Sequence, residues 1–112
     1  MGKYTDYIMK TAQDLLAVPS PSGFTHMAAE FVKKEFEKLG YEPQITQKGA
    51  VLVKLGGKDD KNAVVLAAHM DTLGGMVCQI MDNGRLKLTN IGGMNPPNAE
   101  AATCKAYTKS GK

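Results

Sequence analysis

Ala63-Val64-Val65-Leu66-Ala67-Ala68-His69-Met70-Asp71-Thr72 is the stretch on which the reading of this chain turns. Six apolar residues without alternation, followed at once by an imidazole and a carboxylate, predict a strand buried on both faces of an α/β sheet. In open sheets of that kind functional side chains collect just beyond the carboxyl ends of strands. His69 stands at that end, and Asp71 lies two residues further on.

The flanks extend this pattern in both directions. Toward the N-terminus, Tyr4, Tyr7, Ile8, Thr11, Ala12, Leu15 and Leu16 recur at helical spacing up to Val18, so an amphipathic helix is expected there. Pro19-Ser20-Pro21-Ser22-Gly23 stops it and offers serines to cap the next element. A second helix is predicted from about Thr25 to Leu39, burying Ala28, Phe31, Val32, Phe36 and Leu39 and ended by Gly40. Next come a short hairpin, Tyr41 to Gln47 and Ala50 to Leu55 around Lys48-Gly49, and a polar loop at 58–62. Beyond the central run, Met76 to Met81 and Arg85 to Thr89 form a second hairpin candidate joined by Asp82-Asn83-Gly84. The composition breaks at Ile91-Gly92-Gly93-Met94-Asn95-Pro96-Pro97-Asn98. Glu100 to Thr108 then alternates as one more strand, and Ser110-Gly111 reads as a turn with no return strand behind it. That pattern is expected of a truncated chain; a flexible terminus or an edge strand is the alternative.

Composition narrows the function classes. With 112 residues, 43% hydrophobic and 22% charged, the chain has the make-up of one globular domain, neither disordered nor membrane-spanning. Aromatic residues are 6%, so Val, Leu, Ile, Ala and the seven Met must supply the core. A formal charge of +3 comes from scattered Lys without a dense basic run, which speaks against nucleic-acid or anionic-lipid partners. Cys78 and Cys104 lack the paired spacing of a zinc knuckle or a redox motif and read as buried free thiols. With no signal core, membrane span or myristoylation pattern, a cytoplasmic location is expected.

Chemically, His69 is a candidate metal ligand, and Asp71 is placed to accept its other ring N–H and set its tautomer. A short His-x-Asp pattern also occurs in purely structural settings, and one imidazole cannot make a zinc site, which needs three or four protein ligands. His26, the other imidazole, reads as helix surface.

A wider match then adds to this reading. Leu15-Leu16-Ala17-Val18-Pro19-Ser20-Pro21-Ser22-Gly23, Glu37-Lys38-Leu39-Gly40, and the run from Val64 through His69-Met70-Asp71-Thr72-Leu73-Gly74-Gly75-Met76-Val77 resemble the start of a co-catalytic dinuclear zinc aminopeptidase. Gly84 to Met94 resembles the glutamyl, or deblocking, aminopeptidase family, which includes the tetrahedral aminopeptidases. The resemblance covers essentially the whole chain in order.

It implies the N-terminal portion of a zinc-peptidase-like three-layer α/β/α domain over residues 1–92, followed over 93–112 by the start of a small β-rich inserted assembly domain. It further implies a cytosolic exopeptidase that removes N-terminal residues from peptides with a two-metal-activated water. The expected cofactors are two divalent ions, zinc first, with cobalt or manganese as alternatives. His69 matches a ligand of one metal and Asp71 the catalytic carboxylate that orients it; the family's other ligands and its general base are expected beyond Lys112. The segment alone is therefore expected to be inactive, and the full-length protein to form homo-oligomers and act on peptides. Two readings compete with this one. Other co-catalytic zinc hydrolases, such as dipeptidases, carboxypeptidases and deacylases, share the His-x-Asp pattern, and Thr72 stands where many family members carry an acidic residue. The second is a non-catalytic α/β module that binds a partner through an exposed strand edge.

Overall fold

In a computed structural model of the chain, residues 2–59 and 61–110 are described. Helix α1 spans Thr5–Leu16 and α2 spans His26–Lys38. Strands β1 (Gln44–Ile45) and β2 (Val51–Leu52) form one antiparallel hairpin; β3 (Gly74–Ile80) and β4 (Leu86–Ile91) form another. A short 3-10 turn covers Pro96–Ala99. The molecule is thus a small mixed α/β structure with two helices and two two-stranded antiparallel sheets.

Both helices lie where the apolar periodicity puts them, and they pack against each other with α2 also against the first hairpin. The tightest part of that packing is the small pair Ala28 and Ala29, 0% and 1% exposed, whose short side chains let the neighbouring backbone come close. Phe31, Val32 and Phe36 are half-buried around them, whereas Leu39 is exposed, as are Tyr7, Ile8 and Leu16 on α1. Lys10 pairs with Asp14 at 2.9 Å and Lys33 with Glu37 at 3.7 Å, each one helical turn apart on the solvent side. Helix α2 is not capped by the serines before it: its N-cap is Thr25, and no side chain caps it.

Both hairpins form, with turn chemistry that matches their residues. Gly49 has φ +83° and lets its N–H donate to the Thr46 carbonyl, while the Thr46 hydroxyl accepts the Ala50 N–H. Gly84 has φ +79° and donates to the Met81 carbonyl, and the Asn83 side chain accepts the Arg85 N–H. In the second hairpin the register shifts between Val77 and Gln79, a bulge that leaves Cys78 out of the ladder.

Three expectations are corrected. Residues 63–68 form no strand: among the described residues nothing pairs with them, and Val64, Val65 and Leu66 are 86%, 81% and 85% exposed. A strand of that composition needs ladder partners on its edges and a layer on each face. Neither lies against it here. Glu100 to Thr108 likewise forms no strand; the segment is exposed and belongs to neither sheet, and the turn expected at Ser110-Gly111 falls partly outside the described residues. The thiols of Cys78 and Cys104 are free, but exposed rather than buried: β3 is exposed from Gly75 to Ile80, and residues 101–110 are exposed throughout. The radius of gyration, 18.0 Å, exceeds the roughly 13 Å of a compact chain this long. The accessible surface, 9922 Å², is likewise well above the roughly 6,000 Å² of a compact one.

The turns lend themselves to two measurements. Gly84→Ala forces a side chain into the left-handed region and is expected to weaken the β3–β4 hairpin by about 1–2 kcal/mol, read as loss of cross-strand NOEs. In the 58–62 loop, the Asn62 amide and then the Lys61 N–H hold the Asp59 carboxyl below the usual carboxylate range. These bonds therefore stabilise the loop above the unfolded carboxylate value and are lost as pH falls through the depressed one. Asn62→Ala is expected to raise the Asp59 titration midpoint toward the ordinary value in a 13C carboxyl NMR titration.

Candidate functional site

Beyond Ala68 the chain meets the loop between the helices. The Thr72 N–H donates to the Ser20 carbonyl at 2.7 Å, and Pro21 and Thr72 form an isolated parallel bridge. Two features of the sequence make this approach feasible. Pro21 has a fixed φ and opens a turn closed by the Phe24 N–H on the Pro21 carbonyl, 2.7 Å, with Gly23 at φ +86°. Gly74, opposite, carries no side chain; a Cβ there would sit 2.8 Å from the Pro21 Cβ.

The junction gathers the residues that matter chemically. The His69 Nδ1 lies 3.1 Å from Asp71 Oδ1 and 3.1 Å from the Asp71 carbonyl oxygen. Both are acceptors, so the neutral ring carries its proton on Nδ1 and leaves the Nε2 lone pair free. The His69 side chain is 87% exposed, so Nε2 is open to a ligand. On the far side of the carboxylate, the Ser22 hydroxyl donates to Asp71 Oδ2 at 2.5 Å. That bond is the main reason the Asp71 carboxyl is held below the usual range; partial desolvation opposes it, and the Asp71 backbone N–H and then His69 add smaller lowering effects.

The structure brings His69 and Asp71, the two residues singled out from the sequence, within hydrogen-bonding distance of each other. It adds Ser22, which sequence reading treated only as a potential helix cap; its separation of 49 residues from Asp71 leaves no periodic signal to find it by. His26 stays on the helix surface, edge-on to Phe24 with ring centroids 4.6 Å apart, and Phe24 in turn meets Tyr107 of the C-terminal segment at 5.2 Å. Among the described residues, no group of three or more His, Cys, Asp or Glu side chains converges as a complete metal site. What the chain presents is one imidazole with Nδ1 facing two acceptors of Asp71 and its outer nitrogen open to solvent. Nor, among the described residues, is any helix long and apolar enough to cross a membrane.

Comparison with known proteins gives the class and then the family. The chain is 35% identical over 104 residues to the Bacillus subtilis (strain 168) protein YhfE, 93% of this chain and 30% of that protein. It is 29% identical over 99 residues to a glutamyl aminopeptidase of Lactococcus lactis subsp. cremoris, and 30% identical over 99 residues to a lysyl aminopeptidase of Pyrococcus furiosus. Each of those matches takes in 88% of this chain and 28% of the relative. These are peptidase sequences, and the chain spans less than a third of the length of the relatives it matches. The family model for M42 glutamyl aminopeptidase matches residues 49–112, more than half of the chain and including the whole His69–Asp71 segment. The chain belongs to the M42 glutamyl aminopeptidase family.

The backbone junction has a direct check. The Thr72 amide is expected to exchange with solvent deuterium measurably more slowly than the amides of Val64 to Ala68, which have no backbone acceptor among the described residues, when followed residue by residue by NMR.

Proposed function

We propose that this chain forms part of a metal-dependent aminopeptidase that removes N-terminal residues from peptides, with His69 as a ligand of one divalent ion and Asp71 as the carboxylate that orients it. The observation that carries the reading is the His69–Asp71 contact at 3.1 Å, which leaves Nε2 as the outward donor. The donor set fits one ligand of a multi-ligand centre, since a neutral imidazole with its second nitrogen hydrogen-bonded to a carboxylate is the usual form of a metal-bound histidine. Divalent ions in such a centre, zinc first and cobalt or manganese as alternatives, supply Lewis acidity to activate a water and polarise the scissile carbonyl.

The residues of this chain have two tasks in that scheme. Asp71 keeps the ring proton on Nδ1, so that Nε2 is always in its donor form, and its negative charge raises the basicity of the ring. The junction at Ser20 to Ser22 and Thr72 holds the backbone on the C-terminal side of the pair, and the Ser22 hydroxyl holds the Asp71 side chain. In the same reading residues 1–92 belong to the catalytic domain, 93–112 begin an inserted β-rich domain, and the full-length protein is a cytoplasmic homo-oligomer acting on peptides. The support for the peptide substrate is family membership together with the names of the glutamyl and lysyl aminopeptidases.

The test is chelation and mutation in the full-length protein. Hydrolysis of aminoacyl p-nitroanilides is expected to stop after dialysis against a chelator and to return on adding zinc, cobalt or manganese. His69→Ala is expected to lose one metal equivalent and nearly all activity, and Asp71→Asn to lower metal affinity or rate about 10–100-fold. Full activity after chelation, or full activity and metal content in His69→Ala, would overturn the reading.

A further inference from the structure

We propose that Ser22 is a positioning residue: its hydroxyl fixes the Asp71 carboxylate, and through it the tautomer of His69. The inference rests on the function proposed above for its use in metal binding, but its geometric content stands on this chain alone. An aspartate side chain rotates about its last bond with little hindrance, so a single hydrogen bond to an imidazole leaves the carboxylate plane free to swing. Here it is held at both oxygens. Oδ1 faces the His69 Nδ1 at 3.1 Å, and Oδ2 accepts the Ser22 hydroxyl at 2.5 Å. Charge-assisted bonds of the second kind are short and roughly twice as strong as neutral ones.

Ser22 reaches Asp71 only because the backbone is drawn in beside it. The Thr72 N–H to Ser20 carbonyl bond and the parallel Pro21–Thr72 bridge put the two segments side by side, and the Ser22 hydroxyl reaches diagonally across that bridge to Asp71. Gly74 makes room for this, since a Cβ there would meet the Pro21 ring at 2.8 Å. The relay is therefore Gly74 to Pro21 by close approach, Pro21 to Ser22 by the chain, Ser22 to Asp71 and Asp71 to His69 by hydrogen bonds. A rival arrangement is also present. The Asp71 carbonyl lies at the same 3.1 Å from Nδ1 and would hold the ring without help from Ser22 if it were the dominant acceptor.

The experiment separates the two. Full-length protein, labelled with 15N-histidine and stripped of metal, is studied by solid-state NMR at a pH where imidazoles are neutral, with the His69 signals identified by their absence from His69→Ala. Wild type is expected to show the Nδ1–H tautomer at His69. Ser22→Ala is expected to move the population toward Nε2–H, the form that a free neutral imidazole prefers, and Ser22→Thr, which keeps the hydroxyl, to restore Nδ1–H. Gly74→Ala keeps the side chains of Ser22, Asp71 and His69 but pushes Pro21 away, and is expected to give the Ser22→Ala spectrum with the helical circular dichroism of wild type. In parallel, cobalt affinity measured by competition with a chelator is expected to fall about 10–100-fold in Ser22→Ala and to recover in Ser22→Thr. An unchanged Nδ1–H tautomer in both Ser22→Ala and Gly74→Ala would overturn the proposal and assign the ring to the Asp71 carbonyl. If instead the tautomer responds while peptidase activity proves indifferent to chelation, the positioning role stands and the metal-dependent function falls.

Discussion

The hydrogen bond from the Thr72 N–H to the Ser20 carbonyl is the constraint on which the rest of this structure depends. On one side of it lie the two helices and the first hairpin, packed on Ala28 and Ala29; on the other lies the β3–β4 hairpin. Among the described residues these two groups of elements do not pack against each other through their faces. Closing the chain of about 50 residues between the bonded positions costs on the order of 3–4 kcal/mol in chain entropy, more than the roughly 1 kcal/mol net of one backbone hydrogen bond. The Ser22–Asp71 bond, the seating of Pro21 over Gly74 and the Phe24–Tyr107 ring contact all lie near the same junction and add to it. A structural joint and a chemical site are here the same set of residues.

Contacts are distributed unevenly on the two sides of this junction. Immediately before the junction, Val64 to Leu66 expose side chains each worth about 1.5–3 kcal/mol on full burial, because no layer among the described residues covers them. Immediately after it, His69 and Asp71 are held despite their exposure, since a carboxylate with donors on both oxygens has little freedom left. Polar contacts of short reach define the site, and the apolar run leading to it contributes no packing of its own in this structure. The His69 ring has acceptors facing Nδ1 and open space around its other nitrogen.

Much of the architecture was legible in the residues. Helical periodicity located α1 and α2 to within a few positions, and Lys48-Gly49 and Asn83-Gly84 marked both hairpins, because positive φ is a local requirement that glycine meets at little cost. His69 and Asp71 were legible as a pair for the same reason: their spacing alone brings ring and carboxylate within reach. Less legible were features that depend on what lies across the fold. Ala63 to Ala68 has the composition of a central strand, but composition states only what such a segment could pair with. Ser22 looked like a helix cap, and only the long-range bridge redirects its hydroxyl to Asp71. Cys78 looked buried, but it lies open together with the rest of β3 from Gly75 to Ile80.

By itself, then, the sequence determined the helices, the turns and the identity of an imidazole and carboxylate two residues apart, all of which are set by interactions over a few residues. The tertiary structure alone decided which hydroxyl holds that carboxylate, which glycine admits the proline beside it, and which apolar residues stay uncovered. Those outcomes depend on segments about 50 residues apart meeting at one point, and no local pattern encodes where such a meeting takes place.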